Sequence, residues 1–337
     1  MRVAMLAPIS WRTPPRAYGP WELVTSQLTE ALVAKGVDVT LFATADSHTA
    51  GTLDAVVPVA YSEDPTLDAK VWEMLHIAHV MEQAHRFDIV HNQADFMALG
   101  WSRLVDTPVV TTIHGFSSER IMPAYRAYQD RVHYVAISEA DRAEGLRYAE
   151  TIHHGIPIEQ FPFDPAGSDD LLFFGRIHPD KGAGDAIRAA KATGHRLVMA
   201  GIVQDEGYHA REVAPFIDDD RVRFLGAVGG ERRTRTLGQA KALLHLIGFD
   251  EPFGLSVVEA MACGTPVIAY ARGSMPELIE DGVTGFLVNS FDEAVAAIGR
   301  VGEIDRAACR ARVAEHFTVD RMADRYLALY ERLAGAR

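Results

Sequence analysis

Apolar residues in the first part of the chain occur as short unbroken runs and as stripes at helical spacing. Residues 3–7 are apolar without interruption, the mark of a strand buried on both faces. Trp21, Val24, Leu28, Ala31 and Leu32 then fall on one helical face, and Lys35-Gly36 ends that helix. Val37, Val39 and Leu41 alternate as a second strand. Strand, loop, helix and strand make the repeat of a parallel sheet, whose ligands bind at the carboxyl ends of its strands. The loop 8–20 falls at such an end, so Trp11, Arg12, Tyr18 and Gly19 are site candidates. Val71, Met74, Leu75, Ala78 and Met81 form the stripe of another helix. Residues 87–91, 108–113 and 132–137 read as further strands, and Ser138 as the cap of a following helix. A strand over 151–156 leads to 157–167, which carries three prolines and reads as a linker. The pattern then restarts at Leu171, with strands at 172–174, 197–200, 222–225 and 242–247. Thr318 can cap a last helix whose face holds Val319, Met322, Tyr326, Leu329 and Leu333.

The most informative stretch is 250–269, D-E-P-F-G-L-S-V-V-E-A-M-A-C-G-T-P-V-I-A. Pro252 disfavours a helical Glu251, so that carboxylate belongs on a loop. A buried helix over 255–262 follows, with Gly264 as its left-handed stop, and then a buried strand. A helix N-terminus near Gly254 and Leu255 offers N–H groups and a positive dipole end to a phosphate. Glu251 and Glu259, with seven residues between them, can accept hydrogen bonds from paired hydroxyls of a sugar and a ribose. Upstream, Gly175-Arg176 and Lys181-Gly182 form G-R-x-x-x-x-K-G after a strand, two cations suited to a departing diphosphate. No G-x-G-x-x-G follows the first strand, and no G-K-[ST] is present, so neither a dinucleotide dehydrogenase nor a Walker loop is indicated.

Composition narrows the classes. A chain of 337 residues suits two ordinary domains, and 48% apolar content suits two cores. Net charge of −13 sets aside a general nucleic-acid surface. Cys263 and Cys309 make no disulfide framework. The N-terminus reads as a strand and not as a signal peptide, and no apolar run reaches the roughly 18 residues of a membrane span. A cytoplasmic location is expected. His76 and His79 lack a third ligand and read as structural, and Asp218, Asp219 and Asp220 read as a solvated turn. Arg120, Arg126 and Arg131 suggest at most a peripheral membrane contact.

The stretches E-P-F-G-L and E-A-M-A-C-G-T-P-V-I-A closely resemble the E-x7-E signature of retaining GT-B glycosyltransferases, glycosyltransferase family four (glycosyl transferases group 1), and G-R-x-x-x-x-K-G strengthens the resemblance. The resemblance covers nearly the whole chain. It implies an α/β protein of two Rossmann-like domains with parallel sheets facing across a cleft. An acceptor-binding domain would span 1–157 and a donor-binding domain 168–317, with the helix 318–337 returning to the first. The implied activity is transfer of a hexose, with retention, from a nucleotide diphosphate sugar, a UDP-sugar foremost. The acceptor would be a small-molecule, glycan or lipid-linked hydroxyl. No cofactor and no metal are expected. Carried over residue by residue, Arg176 and Lys181 face the diphosphate, Glu251 the sugar hydroxyls, Glu259 the ribose, and His114 the sugar. Phe253, Gly254 and Leu255 line the donor site, Gly19 approaches it, and the loops at Ile202 and Val228 cover the base. Where the family has a glycine pair this chain has Gly19-Pro20, so close backbone approach at Pro20 is in doubt. Trp11, Tyr18, Trp21 and Phe116 are candidates to stack on an acceptor, with Arg12 beside them. A sugar phosphorylase, an epimerase and a non-catalytic sugar-nucleotide binder share the fold. No site for a pyridoxal-bearing lysine is evident, and intact Glu251, Glu259, Arg176 and Lys181 argue against a decayed enzyme.

Overall fold

The apolar runs become two parallel sheets in the computed structural model, which describes residues 1–116 and 119–335. The chain forms two compact units, one of residues 1–155 with the chain from Val319 onward, the other Ile156–Thr318. Residues 336 and 337 of the expected last helix lie outside the described residues. The first unit holds β1 (Arg2–Leu6), β2 (Asp38–Thr44), β3 (Thr52–Val57), β4 (Ile89–Asn92), β5 (Val109–Ile113), β6 (Val132–Ala136) and β7 (Tyr148–Thr151). Their order is β3-β2-β1-β4-β5-β6-β7, with every neighbour parallel. The second holds β8 (Leu171–Phe174), β9 (Leu197–Ala200), β10 (Val222–Phe224), β11 (Ala242–His245), β12 (Val267–Tyr270) and β13 (Gly285–Val288), in the order β10-β9-β8-β11-β12-β13, again parallel throughout. The strand order reverses between β1 and β4 in one sheet and between β8 and β11 in the other. Loops leaving two such strands diverge to opposite faces, and the crevice they leave is where ligands bind an open α/β sheet. Among the described residues no helix is long and apolar enough to cross a membrane.

The helix Val319–Ala334 belongs to the first unit and buries Met322, Ala323, Tyr326, Leu329 and Tyr330. It is held by a polar seam at the β4–β5 centre. His91 Nδ1 lies 2.5 Å from the Tyr330 hydroxyl and Nε2 2.8 Å from the Thr112 hydroxyl, itself 2.6 Å from the Tyr326 hydroxyl. Buried polar groups of this kind must be paired, and each pairing fixes the position of the helix along the sheet. At its rim Arg325 donates to Glu150 at 2.7 Å, and Lys35 reaches Asp324 at 2.8 Å.

Three local expectations are corrected. In the helix Ala69–Glu82 the buried side chains are His76, Ile77, Val80 and Met81, whereas Val71, Met74 and Leu75 stand exposed. The helix is rotated because His76 turns inward and bonds the Ala7 carbonyl at 3.0 Å, with His79 on Asp54 at 2.8 Å. No helix follows Ser138. Its hydroxyl accepts from the Asp141 backbone at 3.1 Å and closes a turn, the alternative this residue type offers to a cap. The strand expected over 151–156 lies earlier, as β7, and beyond it Ile156 makes a single bridge to Thr318. The proline-bearing segment 157–167 clusters with the second unit, where Arg310 donates to the Phe161 carbonyl at 2.6 Å and Arg306 to that of Asp164 at 2.7 Å. Asp218 accepts from the backbone of Arg221 and Val222 as a solvated turn.

Burial holds His76 neutral with a pKa lowered to about 4, and His91 with one lowered to about 3. The unfolded chain protonates both near pH 6.5. The stability they contribute is therefore complete above about pH 6.5 and is lost as pH falls toward 4 and 3. Thermal unfolding should show the first unit melting earlier as pH drops from 7 to 5. His91→Asn should flatten that slope by up to about 1.4 kcal/mol per pH unit.

Candidate active site

At the β8–β11 switch point the loop leaving β8 is drawn onto the chain leaving β11. Gly182 makes this approach feasible: its φ is +73°, and a Cβ there would stand 2.0 Å from the Leu246 carbonyl oxygen. Gly248 N–H closes the contact on the Asp180 carbonyl at 3.0 Å. The result places Lys181 Nζ 2.5 Å from Glu251 Oε2, with the ammonium also 4.6 Å from the centre of the Phe249 ring. Both side chains are largely buried, at 14% and 16% exposure. Arg176 lies on the same loop, bonded to Gln204 and 3.7 Å from Asp180. A second glycine fixes Glu251 from the other side: a Cβ on Gly273, φ +54°, would meet the Glu251 backbone at 2.5 Å. Ser274 N–H donates to the Glu251 carbonyl at 3.0 Å and Ser274 Oγ to the Phe253 carbonyl at 2.5 Å. Glu251 thus sits on a rigid loop, as Pro252 predicts.

The helix Leu255–Ala262 begins at Gly254 with no side-chain cap, so its first N–H groups are available to an anion. Gly264, at φ +91°, ends it as expected. Glu259 is 2% exposed, and Arg233 clamps it. Nη2 donates to Oε1 at 2.6 Å and to Oε2 at 2.5 Å, and Nε to Oε2 at 3.1 Å. The guanidinium also lies 5.5 Å from the centre of the Phe174 ring, at the end of β8. Burial raises the Glu259 pKa, and Arg233 opposes that rise. His245 closes β11 with its ring buried and its Nε2 3.9 Å from Glu251 Oε2. Neither Arg233 nor His245 was singled out from sequence. Arg233 looks like one charge in the run E-R-R-T-R; the available signal was Leu237, buried one turn further along the same helical face. Ile202 is tied to the β8 loop, its carbonyl accepting from Ile177 N–H at 2.8 Å, while Val228 lies part-exposed beyond β10.

In the first unit the loop after β1 gathers Trp11 and Tyr18, ring centres 6.5 Å apart and edge to face. Buried Glu22 accepts from Trp11 N–H at 3.0 Å, and Arg12 donates to the Asp46 carbonyl at 3.3 Å. Gly19 is the residue before the helix Pro20–Ala34, at φ +148°. Phe116 is not part of this cluster and packs edge-on against Tyr125, ring centres 5.3 Å apart. His114 follows β5, buried, with burial lowering its pKa to about 3. Nε2 donates to Gln93 Oε1 at 2.7 Å, Nδ1 faces His154 Nε2 at 3.3 Å, and Trp21 stacks on the ring at 5.2 Å. Both ring nitrogens are thus already engaged inside the first unit, and Trp21 is occupied with His114. Among the described residues no group of three His, Cys, Asp or Glu side chains is placed to hold a metal ion.

Two all-parallel Rossmann-like sheets in this order, with the acid and base pairs at a switch point, define a GT-B glycosyltransferase fold. The description Glycosyltransferase Family 4 matches residues 22–160 and Glycosyl transferases group 1 matches 158–311, and the chain belongs to this family. Similar structures include AviGT4, a glycosyltransferase involved in avilamycin A biosynthesis, at 24% identity and TM-score 0.74, covering 100% of this chain and 99% of that one. The sucrose-phosphate synthase of Thermosynechococcus elongatus superposes with TM-score 0.78 at 21% identity over 100% of both chains. Anabaena Alr3699/HepE in complex with UDP-glucose gives 0.74 at 20% identity over 98% of this chain and 100% of that one. The D-inositol 3-phosphate glycosyltransferase of Mycobacterium avium (strain 104) is 34% identical over 223 residues, 59% of this chain and 51% of the relative. The chain spans about half the length of the curated relatives it matches.

Removing Arg233 leaves a buried carboxylate with burial unopposed, so its pKa rises further. A raised carboxylate pKa costs stability once the group ionises, and the cost vanishes when pH falls below it. Arg233→Leu should therefore destabilise by roughly 3 kcal/mol near pH 7.5 and by clearly less near pH 5. Melting temperatures at the two pH values check this, and adding Glu259→Gln should abolish the difference.

Proposed function

We propose that this protein moves a hexose from a nucleotide diphosphate sugar to an acceptor hydroxyl, with retention at the anomeric carbon. The observation that carries the reading is the Lys181–Glu251 contact beside Arg176 at the mouth of β8 and β11. A sugar diphosphate presents hydroxyls next to concentrated negative charge, and this site pairs a carboxylate with two cations in the same way. UDP and UDP-glucose are the ligands named for the Anabaena structures, which favours a uridine donor. In this reading the helix start at Gly254 and Leu255, with Arg176 and Lys181, holds the diphosphate, and Glu259 accepts from the ribose hydroxyls. In the same reading Trp11, Arg12 and Tyr18 on the β1 exit loop bind the acceptor, while His114, its ring nitrogens held by Gln93 and His154, would have to exchange one of these partners to reach a sugar. A location in the cytoplasm and independence from metals are part of the same proposal.

Neither glutamate acts as a nucleophile here. The bond between C1 and the diphosphate oxygen breaks as Arg176 and Lys181 take up the developing charge, the electrostatic contribution expected to dominate. The departing oxygen accepts the proton of the incoming hydroxyl, and the new C1–O bond forms on the same face. Glu251 holds hydroxyls remote from C1, so it orients the sugar.

The test is turnover of UDP-, GDP- and ADP-sugars with a panel of acceptors headed by inositol phosphates, named in the curated relatives. Proton NMR of the first product from an α-linked donor should show an α-linkage, and EDTA should leave the rate unchanged. A β-linked product, or a glycosyl-enzyme trapped on Glu251, refutes the mechanism. A protein that binds UDP-sugar but never hydrolyses or transfers it is a binder only.

Glu259→Gln should separately weaken UDP binding about tenfold, the effect of one hydrogen bond to a charged group. Calorimetry on the folded variant checks it, and unchanged affinity removes Glu259 from the ribose site.

A further inference from the structure

Lys181 carries two tasks in the reading above. It is the close cation of Glu251, and it is needed by the diphosphate. One ammonium cannot serve both at full strength, so the 2.5 Å contact must loosen when a donor arrives. Glu251, at 16% exposure, would then keep little water and lose its close partner. The residue placed to respond is His245. Its side chain is 7% exposed, and its Nε2 is buried without a hydrogen-bond partner among the described residues. Such an atom is uncommon, because a buried polar group left unpaired costs stability. Glu251 Oε2 lies 3.9 Å from it, the oxygen that Lys181 holds. Burial keeps the imidazole neutral, its pKa lowered to about 4, with Glu251 opposing the shift and Lys181 adding to it. A neutral ring can bring an N–H to a carboxylate without adding charge that would compete for the diphosphate.

We propose that His245 is a positioning residue of the donor site: its Nε2–H closes on Glu251 Oε2 when Lys181 turns to the diphosphate, so that the ion pair opens at little cost. The proposal rests on the donor-site reading of Lys181 and Glu251. It accounts for a histidine at the end of a strand whose other residues, Ala242, Leu243 and Leu244, are all apolar. It also accounts for a buried nitrogen that the resting site leaves unused.

The effect should appear only with ligands that recruit Lys181. Calorimetry would compare UDP with uridine, which shares base and ribose and lacks the diphosphate. His245→Phe, which keeps the ring and removes the N–H, should lower UDP affinity about tenfold and leave uridine affinity unchanged. His245→Gln, whose side-chain amide can put an N–H in the same place, should recover most of the loss. A Phe variant with the parent's UDP-to-uridine ratio overturns the proposal, as does equal loss for both ligands, which marks a purely structural role. Lys181→Ala separates the two readings. If it leaves UDP affinity intact, the donor-site assignment fails. If it weakens UDP while His245→Phe does not, only the role of His245 fails. Should the Phe variant not fold, nitrogen-15 NMR of the parent decides: a proton on Nε2 whose resonance moves with UDP and not with uridine supports the proposal, and a ring protonated only on Nδ1 refutes it.

Discussion

The candidate site depends on one steric constraint, the close passage of the β8 exit loop against the chain leaving β11. The gap is too narrow for a Cβ at position 182, so only glycine brings Lys181 within reach of Glu251. The same kind of contact recurs at Gly273, where the next loop presses on the Glu251 backbone. Backbone packing, more than side-chain attraction, therefore sets the distance between a buried cation and a buried anion. The ion pair is a consequence of that packing. Two charges moved from water repay their desolvation only when the geometry is good, and here the loops supply the geometry.

The same logic extends along the Leu255–Ala262 helix. Each glutamate of the motif is matched by one basic residue from another element, Glu251 by Lys181 and Glu259 by Arg233. Aromatic faces back both cations, Phe249 under Lys181 and Phe174 under Arg233. Each pair is neutral, so a protein of net charge −13 brings two cations to the motif without leaving either buried carboxylate unpaired. The first unit solves a different problem, anchoring a helix from the far end of the chain. It uses neutral partners, His91, Thr112, Tyr326 and Tyr330, whose burial suppresses ionisation. His114 belongs to the neighbouring part of that buried histidine chemistry, which is why its ring nitrogens are committed inward.

Much of this architecture was legible in the order of residues. The motif helix runs from Leu255 to Ala262, its loop carboxylate precedes it, and Gly264 ends it, as local rules require. Pro252 and Gly264 act through their own backbone angles, so no distant residue is needed to read them. Strands such as 171–174 and 197–200 are apolar throughout because parallel sheets are covered on both faces. The Ala69–Glu82 helix misled, since two apolar stripes overlap on it. Which one turns inward depended on the Ala7 carbonyl that captures His76.

The sequence by itself determined which residue types make up the candidate site: two carboxylates at fixed spacing, a cation pair after a strand and a helix start without a side-chain cap. These are short-range properties, carried by covalent geometry and helical period. Only the tertiary structure decided who partners whom. Arg233 finds Glu259 from 26 positions away, Lys181 finds Glu251 from 70, and His245 comes to lie beside that pair with a nitrogen to spare. Such pairings follow from strand order and from how closely two backbones pass, and neither is written in any local pattern.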